Sequence, residues 1–370
     1  MVTSTTSGTP DTAAGPRRTQ RRGPAPVRSA GRPYLRFAVR RVLTSLLLLL
    51  GVTLVTFVLT NLVPGDPVAA NLGQRAAEDL EIVARFRREY GLDRPLVGQY
   101  LTYLGNLLHG DLGVSTTTRR AVTADLRAAV PATLEIALGA IVLSVVIGTV
   151  FGTYAAHRRG RASDHVLRVV SLAGLSVPTF WLALVLYYLC YYKLGIAPGS
   201  GRLSVDFTVP PRVTGLYTVD SLLAGQLDTF LDAVSHLFLP VLVLTLYTVG
   251  LLTRFVRTAV LEVLDQDYVR AAHAKGLPAR TVVWSYVLRG ASIPVLTVVG
   301  LAFGSLLSGT VLVESVFSWP GIGTYAYQAA SHLDLPGVMG VGLVVGATYL
   351  LVNLVVDLLY GVLDPRVRLA

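Results

Sequence analysis

Six long apolar stretches constrain the fold of this 370-residue chain more than any other feature. A bilayer core of about 30 Å is crossed by roughly 20 apolar residues in a helix, and each stretch reaches or approaches that length. Only 15% of the residues are charged, whereas soluble domains carry about 25%. We therefore expect an all-α integral membrane protein with six transmembrane helices. The expected spans are residues 42–62, 132–156, 169–192, 236–253, 293–312 and 338–360, of which the fourth is the shortest.

Lysine and arginine residues divide the connections between the spans into two unequal sets. The two tails and the connections 157–168 and 254–289 together hold 21 of them. The loops 193–235 and 313–336 hold three, and the long loop 63–131 holds eight. Cytoplasmic loops carry an excess of these residues, and long loops count little in this rule. We therefore expect both termini to be cytoplasmic and the long loop to be external.

The net charge of +10 is a second feature that needs an explanation. Basic surfaces are common in nucleic-acid-binding proteins, but here the charge accompanies long apolar runs, and loop arginines of a membrane protein account for it. Residues 1–33 are rich in Thr, Ser, Pro, Gly and Arg, so we expect a disordered cytoplasmic tail. Its arginines fit an orientation signal with affinity for anionic membrane lipid. Residues 34–370 are expected to form one six-span domain, without a nucleic-acid partner.

The two longer external loops differ in character. In the first, residues 79–90 and 96–108 have the apolar periodicity of amphipathic helices. They predict either a docking surface for an external partner or a lid over the ends of the spans. The second, 193–235, reads as a loop with short helical turns. Its acidic residues indicate a solvated face, and they are Asp220, Asp228 and Asp232.

Sequence signatures of catalysis are missing from the chain. It contains no phosphate-binding Gly-x-x-x-x-Gly-Lys-Ser/Thr, no His-Glu-x-x-His and no Gly-x-Ser-x-Gly. Cys190 is the single cysteine, so neither a disulfide framework nor a thiolate metal cluster can form within the chain. We therefore expect no catalytic residue, metal site or cofactor in this chain.

Charged residues within the spans are few, and such residues are functional candidates by default. Glu135 and Asp357 lie near span ends, where anchoring at the membrane interface is the simpler interpretation. Two glycine pairs, at 300–304 and 342–346, permit close helix approach. They fit either a packed bundle or a subunit interface.

The cytoplasmic connection 254–292 contains the most informative segment. Asp265 or Asp267 can cap a short helix, and Gly276 can end it in the left-handed conformation. Its alanines make this helix slim, and a further helix can run over 281–289. A slim helix of this kind fits the groove of another protein, although a plain amphipathic turn at the lipid surface would have the same pattern.

The segment Arg-Ala-Ala-x-x-x-Gly at 270–276 resembles the Glu-Ala-Ala-x-x-x-Gly motif of ABC-importer permeases. The longer string 267–277 is more similar to the dipeptide, oligopeptide and nickel branch of that family, in which Arg commonly stands in the Glu position. Further strings of that branch occur in order along residues 34–370. They are Pro-Gly-Asp-Pro at 64–67, Tyr-Gly-Leu-Asp at 90–93, Gly-Asp-Leu-Gly at 110–113, Ser-Val-Pro-Thr-Phe-Trp at 176–181, Val-Glu-Ser-Val-Phe-Ser-Trp-Pro-Gly at 313–321 and Asp-Leu-Leu-Tyr-Gly-Val-Leu-Asp-Pro-Arg at 357–366.

This resemblance implies the type I ABC-importer permease fold and the role of the first of two permease subunits in a bacterial plasma membrane. Implied partners are a homologous permease, two ATPases that bind ATP and Mg²⁺, and an external substrate-binding protein. The pathway would carry peptides or a related small solute. The implied ATPase-coupling residues are Asp267, Tyr268, Arg270, Ala271, Ala272, Lys275, Gly276 and Leu277. Candidates for lining the pathway are Ser176, Thr179, Trp181, Ser305 and Ser308.

The chain departs from the family pattern at two places. Leu288-Arg289 stands where sugar-type permeases have Leu-Pro, which favours the peptide branch, and residues 1–33 lie outside the resemblance. A secondary transporter or channel that acts alone is the main alternative, and it predicts uptake without any ATPase. An intramembrane enzyme and a scaffold protein are further alternatives that the missing catalytic signatures and the coupling pattern disfavour.

Overall fold

The computed structural model describes residues 31–62, 79–89 and 93–363, and in these ranges the chain is overwhelmingly helical. The only β-type pairing there is an isolated bridge between Val114 and Ala121, so the predicted all-α fold is confirmed. The predictions for most of the N-terminal tail and for residues 64–67 lie outside the described ranges. The helices are α1 Gly31–Leu62, α2 Leu80–Glu89, α3 Leu96–Leu108, α4 Val122–His157, α5 Ala162–Ser176, α6 Thr179–Tyr187, α7 Tyr217–Leu223, α8 Leu227–Leu264, α9 Asp267–Ala274, α10 Ala279–Thr281, α11 Leu288–Val316, α12 Ile322–Ser331 and α13 Leu335–Leu363.

Five helical segments of the described part are long and apolar enough to cross a membrane, and a bent pair can supply a sixth. Two π-helical turns belong to these segments: Tyr188–Lys193 prolongs α6, and Val282–Val287 joins α10 to α11. Each predicted span overlaps one segment, which agrees with the six-span prediction, although the first and fifth predicted spans extend beyond their segments, to residues 62 and 312. The segments are Val39–Leu59, Val122–His157, Leu227–Leu264, Ala279–Leu307 and Leu335–Tyr360, together with the pair Ala162–Ser176 and Thr179–Lys193.

The predicted third span, 169–192, is not one continuous helix. Its two halves, α5 and α6, meet at an angle of 94°. Val177 between them is extended, with φ −82° and ψ 125°. The cause is Pro178, since proline lacks the N–H that a continuous helix needs and disfavours helical geometry in the residue before it.

Helices α4 and α8, which contain the second and fourth predicted spans, extend well beyond those spans. The fourth span was expected to be the shortest, yet α8 has 38 residues and includes Pro240 within the helix. Likewise, α4 begins at Val122, inside the segment expected to be an external loop. Apolar run length marks only the part of a helix that lies in hydrocarbon, so it misses polar turns that neighbouring elements stabilise.

The two long helices α4 and α8 form the centre of the bundle. Leu244 and Leu252 of α8 belong to the main apolar cluster, in which they are about 1% exposed. The contact between the helices is close, because a Cβ added at Gly152 of α4 would come within 2.7 Å of the Val256 Cβ. Helices α5, α6 and α11 pack on this tight pair.

The predicted glycine pairs mediate contacts inside this chain. A Cβ at Gly300 of α11 would come within 2.9 Å of Val356 of α13. At another position on α13, a Cβ at Gly346 would come within 2.7 Å of Val52 of α1. The glycines therefore let α13 pack closely between α1 and α11, as expected for a packed bundle.

The helix α3 lies beside α1 instead of beyond its end. The Tyr100 hydroxyl is 3.0 Å from the Thr53 hydroxyl, and the Tyr100 ring packs on Phe57. Thr53 is nine residues before the end of α1, which corresponds to about 13 Å along a helix. The Tyr100 hydroxyl therefore contacts a residue inside the span Val39–Leu59.

Candidate functional site

The segment predicted to couple to a partner forms a short helix between α8 and α10. Helix α9 spans Asp267–Ala274, and Gly276 follows with a φ of +73°, so both the helix and its left-handed stop are confirmed. The predicted capping by Asp265 or Asp267 is wrong. Gln266 is the N-cap residue, without a side-chain capping bond, and Asp267 already lies in the helix.

The helix α9 has one buried face and one exposed face. Val269 is 1% exposed and Ala272 is 3% exposed, and both pack in an apolar cluster with residues of α8 and of the π-helical turn before α11. Leu277 packs partly against the same cluster. Ala272 is therefore a contact inside this chain and is not available to a partner. Exposed candidate residues are Asp267, Tyr268, Arg270, Ala271, Lys275 and Gly276.

Side chains at the ends of α9 connect it to the neighbouring helices. The Arg270 guanidinium donates a 2.9 Å hydrogen bond to the Asp265 carbonyl, and it lies 3.4 Å from the Asp267 carboxylate. A Cβ added at Gly290 of α11 would come within 2.5 Å of the Tyr268 hydroxyl. Sequence reasoning missed Gly290, because nothing in the sequence places it opposite Tyr268. These contacts tie α9 to α11 as well as to α8.

A buried ion pair holds α5 against α8 near the same end of the bundle. Arg257 donates bonds of 2.7 Å and 2.9 Å to the two carboxylate oxygens of Asp164, which is fully buried. The Gly160 N–H also donates to this carboxylate. Two parallel bonds between guanidinium and carboxylate fix orientation as well as distance. No sequence pattern indicates this pair, since 93 residues separate its members.

A cavity of about 380 Å³ opens at the break between α5 and α6. It brings together three of the five pathway candidates, Ser176, Thr179 and Ser305. Trp181 does not line it; its side chain lies on α6 and is 52% exposed. The side chain of Ser308 lies outside the described part of the structure. Further lining residues are Leu175, Val177, Pro178, Leu244, Tyr247, Leu306 and Gly309.

The end of the bundle opposite α9 is closed by a buried ion pair that the sequence did not reveal. Glu135 is 6% exposed and accepts a 2.7 Å bond from Arg202, itself 7% exposed. Thr218 donates its N–H and its hydroxyl to the same carboxylate. The Arg202 guanidinium stacks 3.5 Å from the ring centroid of Tyr217. Glu135 therefore has specific protein partners, which the prediction of anchoring at the membrane interface did not include.

Of the three acidic residues in the predicted second external loop, only Asp228 is exposed; Asp220 and Asp232 are not on a solvated face. Asp220 is 1% exposed. Burial by itself would raise the pKa of its carboxyl, but bonds from the Thr214 N–H and hydroxyl and from the Gly215 and Val213 N–H groups outweigh it and lower that pKa. Asp232 likewise accepts bonds from the N–H and hydroxyl of Ser204. These carboxylates order the loop from within.

Asp357, the second predicted interfacial carboxylate, has a specific partner. Its carboxylate lies 3.2 Å from the guanidinium of Arg41, so the ends of α13 and α1 are linked.

The Trp-Pro-Gly turn after α11 packs on α4, where the Trp319 indole N–H donates a 2.8 Å bond to the Ala132 carbonyl. No group of three or more His, Cys, Asp or Glu side chains able to hold a metal ion occurs in the described ranges.

Substitution of Gly276 tests whether α9 needs its left-handed stop. No atom lies within 4 Å of a Cβ added there, so only the backbone conformation opposes a side chain. We expect Gly276→Val to lower the free energy of unfolding by about 1–2 kcal/mol, and Gly276→Asn by less, because Asn tolerates this conformation. Thermal unfolding of the purified chain measures both. Gly105→Val on α3, which also has open space, is the control, and equal effects of Val and Asn at residue 276 would contradict the prediction.

Comparisons with known proteins give a consistent picture. Residues 148–369 match the family model of binding-protein-dependent transport system inner membrane components, and residues 34–137 match the N-terminal model of such membrane components. The probable D,D-dipeptide transport system permease protein DdpB of Escherichia coli K12 is 46% identical over 321 residues, which are 87% of this chain and 94% of that protein.

Two further relatives have similar coverage. The di/tripeptide transport system permease protein DppB of Pseudomonas aeruginosa is 46% identical, and the dipeptide transport system permease protein DppB of Escherichia coli K12 is 39% identical. Each match covers 90% of this chain and 99% of the relative. A solved structure of the MetNI methionine ABC transporter in inward-facing conformations has a TM-score of 0.45 at 16% identity, covering 63% of this chain and 93% of that one. The resemblance stated from the motifs is confirmed: the chain belongs to the inner membrane components of binding-protein-dependent transport systems, the multi-pass permease subunits of bacterial ABC importers.

Proposed function

We propose that this chain forms half of the translocation pathway of an ATP-driven importer of dipeptides or similarly short peptides. Its partners are a homologous second permease, two ATPase subunits that bind ATP and Mg²⁺, and an external substrate-binding protein. The observation that carries the proposal is helix α9, which has a buried face on α8 and α11 and a slim exposed face. The names of the relatives, which transport dipeptides and tripeptides, support the substrate class.

The exposed face of α9 has the size and shape for a groove on an ATPase subunit. Ala271 on this face has a small side chain, so a partner can approach the helix backbone closely. Asp267 and Lys275 can form ion pairs with the partner at the two ends of the helix. Amphipathic helices commonly bind partner grooves in this way. The excess of arginine on the tails and the neighbouring connections supports a cytoplasmic position of this end and of both termini.

Helices α8 and α11 connect α9 to the pathway cavity, so they can transmit a movement of α9 to the cavity wall. Its buried residues Val269 and Ala272 fix it to α8 and to the start of α11. Those helices contribute Leu244 and Ser305, respectively, to the cavity wall. A switch from 1:99 to 99:1 between two conformations takes about 5.5 kcal/mol of differential binding. Closure of the ATPases would deliver this energy through α9.

The cavity has a polar feature that suits a peptide. Helix α6 begins at Thr179 in the cavity wall, and the first N–H groups of a helix have no partner within it. A helix N-terminus favours a negative charge, and every peptide carries a carboxylate at its C-terminus. The hydroxyl of Ser176 donates to a carbonyl of its own helix and keeps lone pairs to accept further bonds.

Reconstitution of transport in vesicles tests the function. The chain is incorporated into proteoliposomes with the second permease and the ATPases, and its binding protein and a labelled dipeptide are added outside. We expect uptake only with ATP inside and with all partners present. Uptake by this chain alone without ATP would overturn the proposal in favour of a self-contained transporter or channel.

Filling the cavity tests the pathway assignment. Gly309 lines the cavity, and a Cβ added there meets no atom within 4 Å. We expect Gly309→Phe to lower ATP-dependent dipeptide uptake at least about tenfold with an unchanged unfolding midpoint, because the ring would project into the cavity. Gly51→Phe on α1, also in open space, is the matched control. Normal uptake by the Gly309 variant would show that peptides do not pass this cavity.

A further inference from the structure

A second cavity, of about 290 Å³, lies between α5 and α8 near the end of the bundle that carries α9. Leu167, Leu172 and Leu175 of α5 give it an apolar wall. Two contacts define its length. At one end the helix backbones touch, since a Cβ added at Gly250 would come within 2.5 Å of the Ser171 carbonyl oxygen. At the other end is the ion pair between Asp164 and Arg257 described above.

Three arginines line this groove: Arg168, Arg254 and Arg257. Only one carboxylate, that of Asp164, opposes them among the described residues. It accepts both bonds of Arg257, and Arg168 lies farther from it, at 3.5 Å. Arg254 has no ion pair and no side-chain hydrogen bond within the described part of the chain. The groove therefore has an excess of two positive charges.

The surface beside the groove is apolar and exposed. Val169 and Val170 of α5 are 65% and 60% exposed, and Phe255 of α8 is 46% exposed. In a multi-pass membrane protein, such side chains are in contact with acyl chains unless another subunit covers them. The groove thus combines arginines with an apolar wall that continues onto an exposed apolar surface of the protein.

We propose that this groove binds one phospholipid with an anionic headgroup. Its phosphate lies between Arg168 and Arg254, and one acyl chain follows the wall formed by Leu172 and Leu175. Guanidinium groups bind phosphate oxygens through paired, charge-assisted bonds. Basic pockets between spanning helices recognise anionic headgroups by the same chemistry. A zwitterionic lipid would leave the positive excess of the groove uncompensated.

Lipid titration of the assembled transporter tests the proposal. The delipidated complex is titrated with phosphatidylglycerol or phosphatidylcholine, and native mass spectrometry counts the bound lipids. We expect one phosphatidylglycerol site for each copy of this chain that phosphatidylcholine does not fill. The double variant Arg168→Gln/Arg254→Gln should weaken it about 30-fold. Arg257 is left unchanged, because its loss would leave Asp164 buried without a partner.

Two further variants separate groove binding from general charge effects. Thr258→Trp retains every arginine but places a large ring in the groove, so it should also remove the site. The control Arg159→Gln/Arg289→Gln removes two exposed arginines, one from the connection between α4 and α5 and one from the first turn of α11, and it should bind within about threefold of the unaltered protein.

Three results would overturn the proposal. One is equal phosphatidylglycerol binding by the unaltered protein and by the Arg168/Arg254 variant. Another is equal binding of phosphatidylcholine and phosphatidylglycerol. The third is a cross-link from Thr258→Cys, in a Cys190→Ser background, to another protein subunit of the complex, since a subunit would then cover the groove.

Discussion

Arg202→Met is expected to lower the free energy of unfolding by about 3–5 kcal/mol, the usual cost of removing one partner of a buried ion pair. Glu135 would remain 6% exposed, with the two Thr218 donors but without the positive charge that now lies 2.7 Å away. The stacking of Arg202 on Tyr217 would also be lost. A thermal unfolding experiment on the purified chain should show a midpoint about 5 °C lower.

A second substitution identifies the cause of this loss. In Glu135→Gln/Arg202→Met no charge remains buried, so we expect the double variant to regain a substantial part of the stability. Arg202→Lys keeps the charge but loses the planar stacking on Tyr217, and it should lie between the original protein and Arg202→Met. If the double variant were no more stable than Arg202→Met, the unpaired carboxylate would not be the cause.

This ion pair is one of several contacts that join α4 to neighbouring segments at the end of the bundle opposite α9. On a single turn of α4, Glu135 binds Arg202 of the second loop, and the Ala132 carbonyl accepts the bond from Trp319 of the turn before α12. Thr133 of the same turn donates a 2.6 Å bond to Glu314 at the end of α11. Loss of Arg202 should therefore loosen several connections together.

The comparison of sequence and structure separates local from distant information. The segments that cross the bundle, the helix α9 and its stop at Gly276 follow from patterns within about 20 residues, and these were predicted. Partners far apart in the chain, such as Glu135 with Arg202, leave no trace in a single sequence. The prediction of a solvated Asp220 failed for another reason. The N–H groups of residues 213–215 donate hydrogen bonds to its carboxylate, and the loop conformation that allows this cannot be deduced from residue composition.

Helix ends were less predictable than helix positions. Apolar runs mark the part of α8 in hydrocarbon, but its polar last turns continue to Leu264 because they pack on the cluster that holds α9. Pro178 can break a helix, but the apolar stretch 169–192 around it is long enough for one span and was therefore predicted as a single helix. That break forms part of the wall of the pathway cavity, so the main error in the spans falls at a candidate functional site.

The neighbouring residues Ala271 and Ala272 provide the sharpest test of how α9 acts. Ala271 is exposed, whereas Ala272 is 3% exposed and packs within this chain. We expect Ala271→Phe to lower ATP-dependent uptake in the reconstituted complex at least about tenfold, because the ring would block entry of α9 into an ATPase groove. Its unfolding midpoint should stay unchanged, since the new side chain would point away from the bundle.

Ala272→Phe should differ from Ala271→Phe in its effect on stability. Overpacking of a filled cluster costs about 1–3 kcal/mol, so the unfolding midpoint should fall together with uptake, because α9 would be displaced from α8. Ala271→Ser is the control that adds little volume on the exposed face, and it should retain uptake. Wild-type uptake by Ala271→Phe would mean that the exposed face of α9 contacts no partner, and the coupling proposal would then fail even if the chain is a permease. A loss of uptake confined to Ala271→Phe, at constant stability and with ATPase activity no longer stimulated by the loaded binding protein, is the result that a docking helix requires.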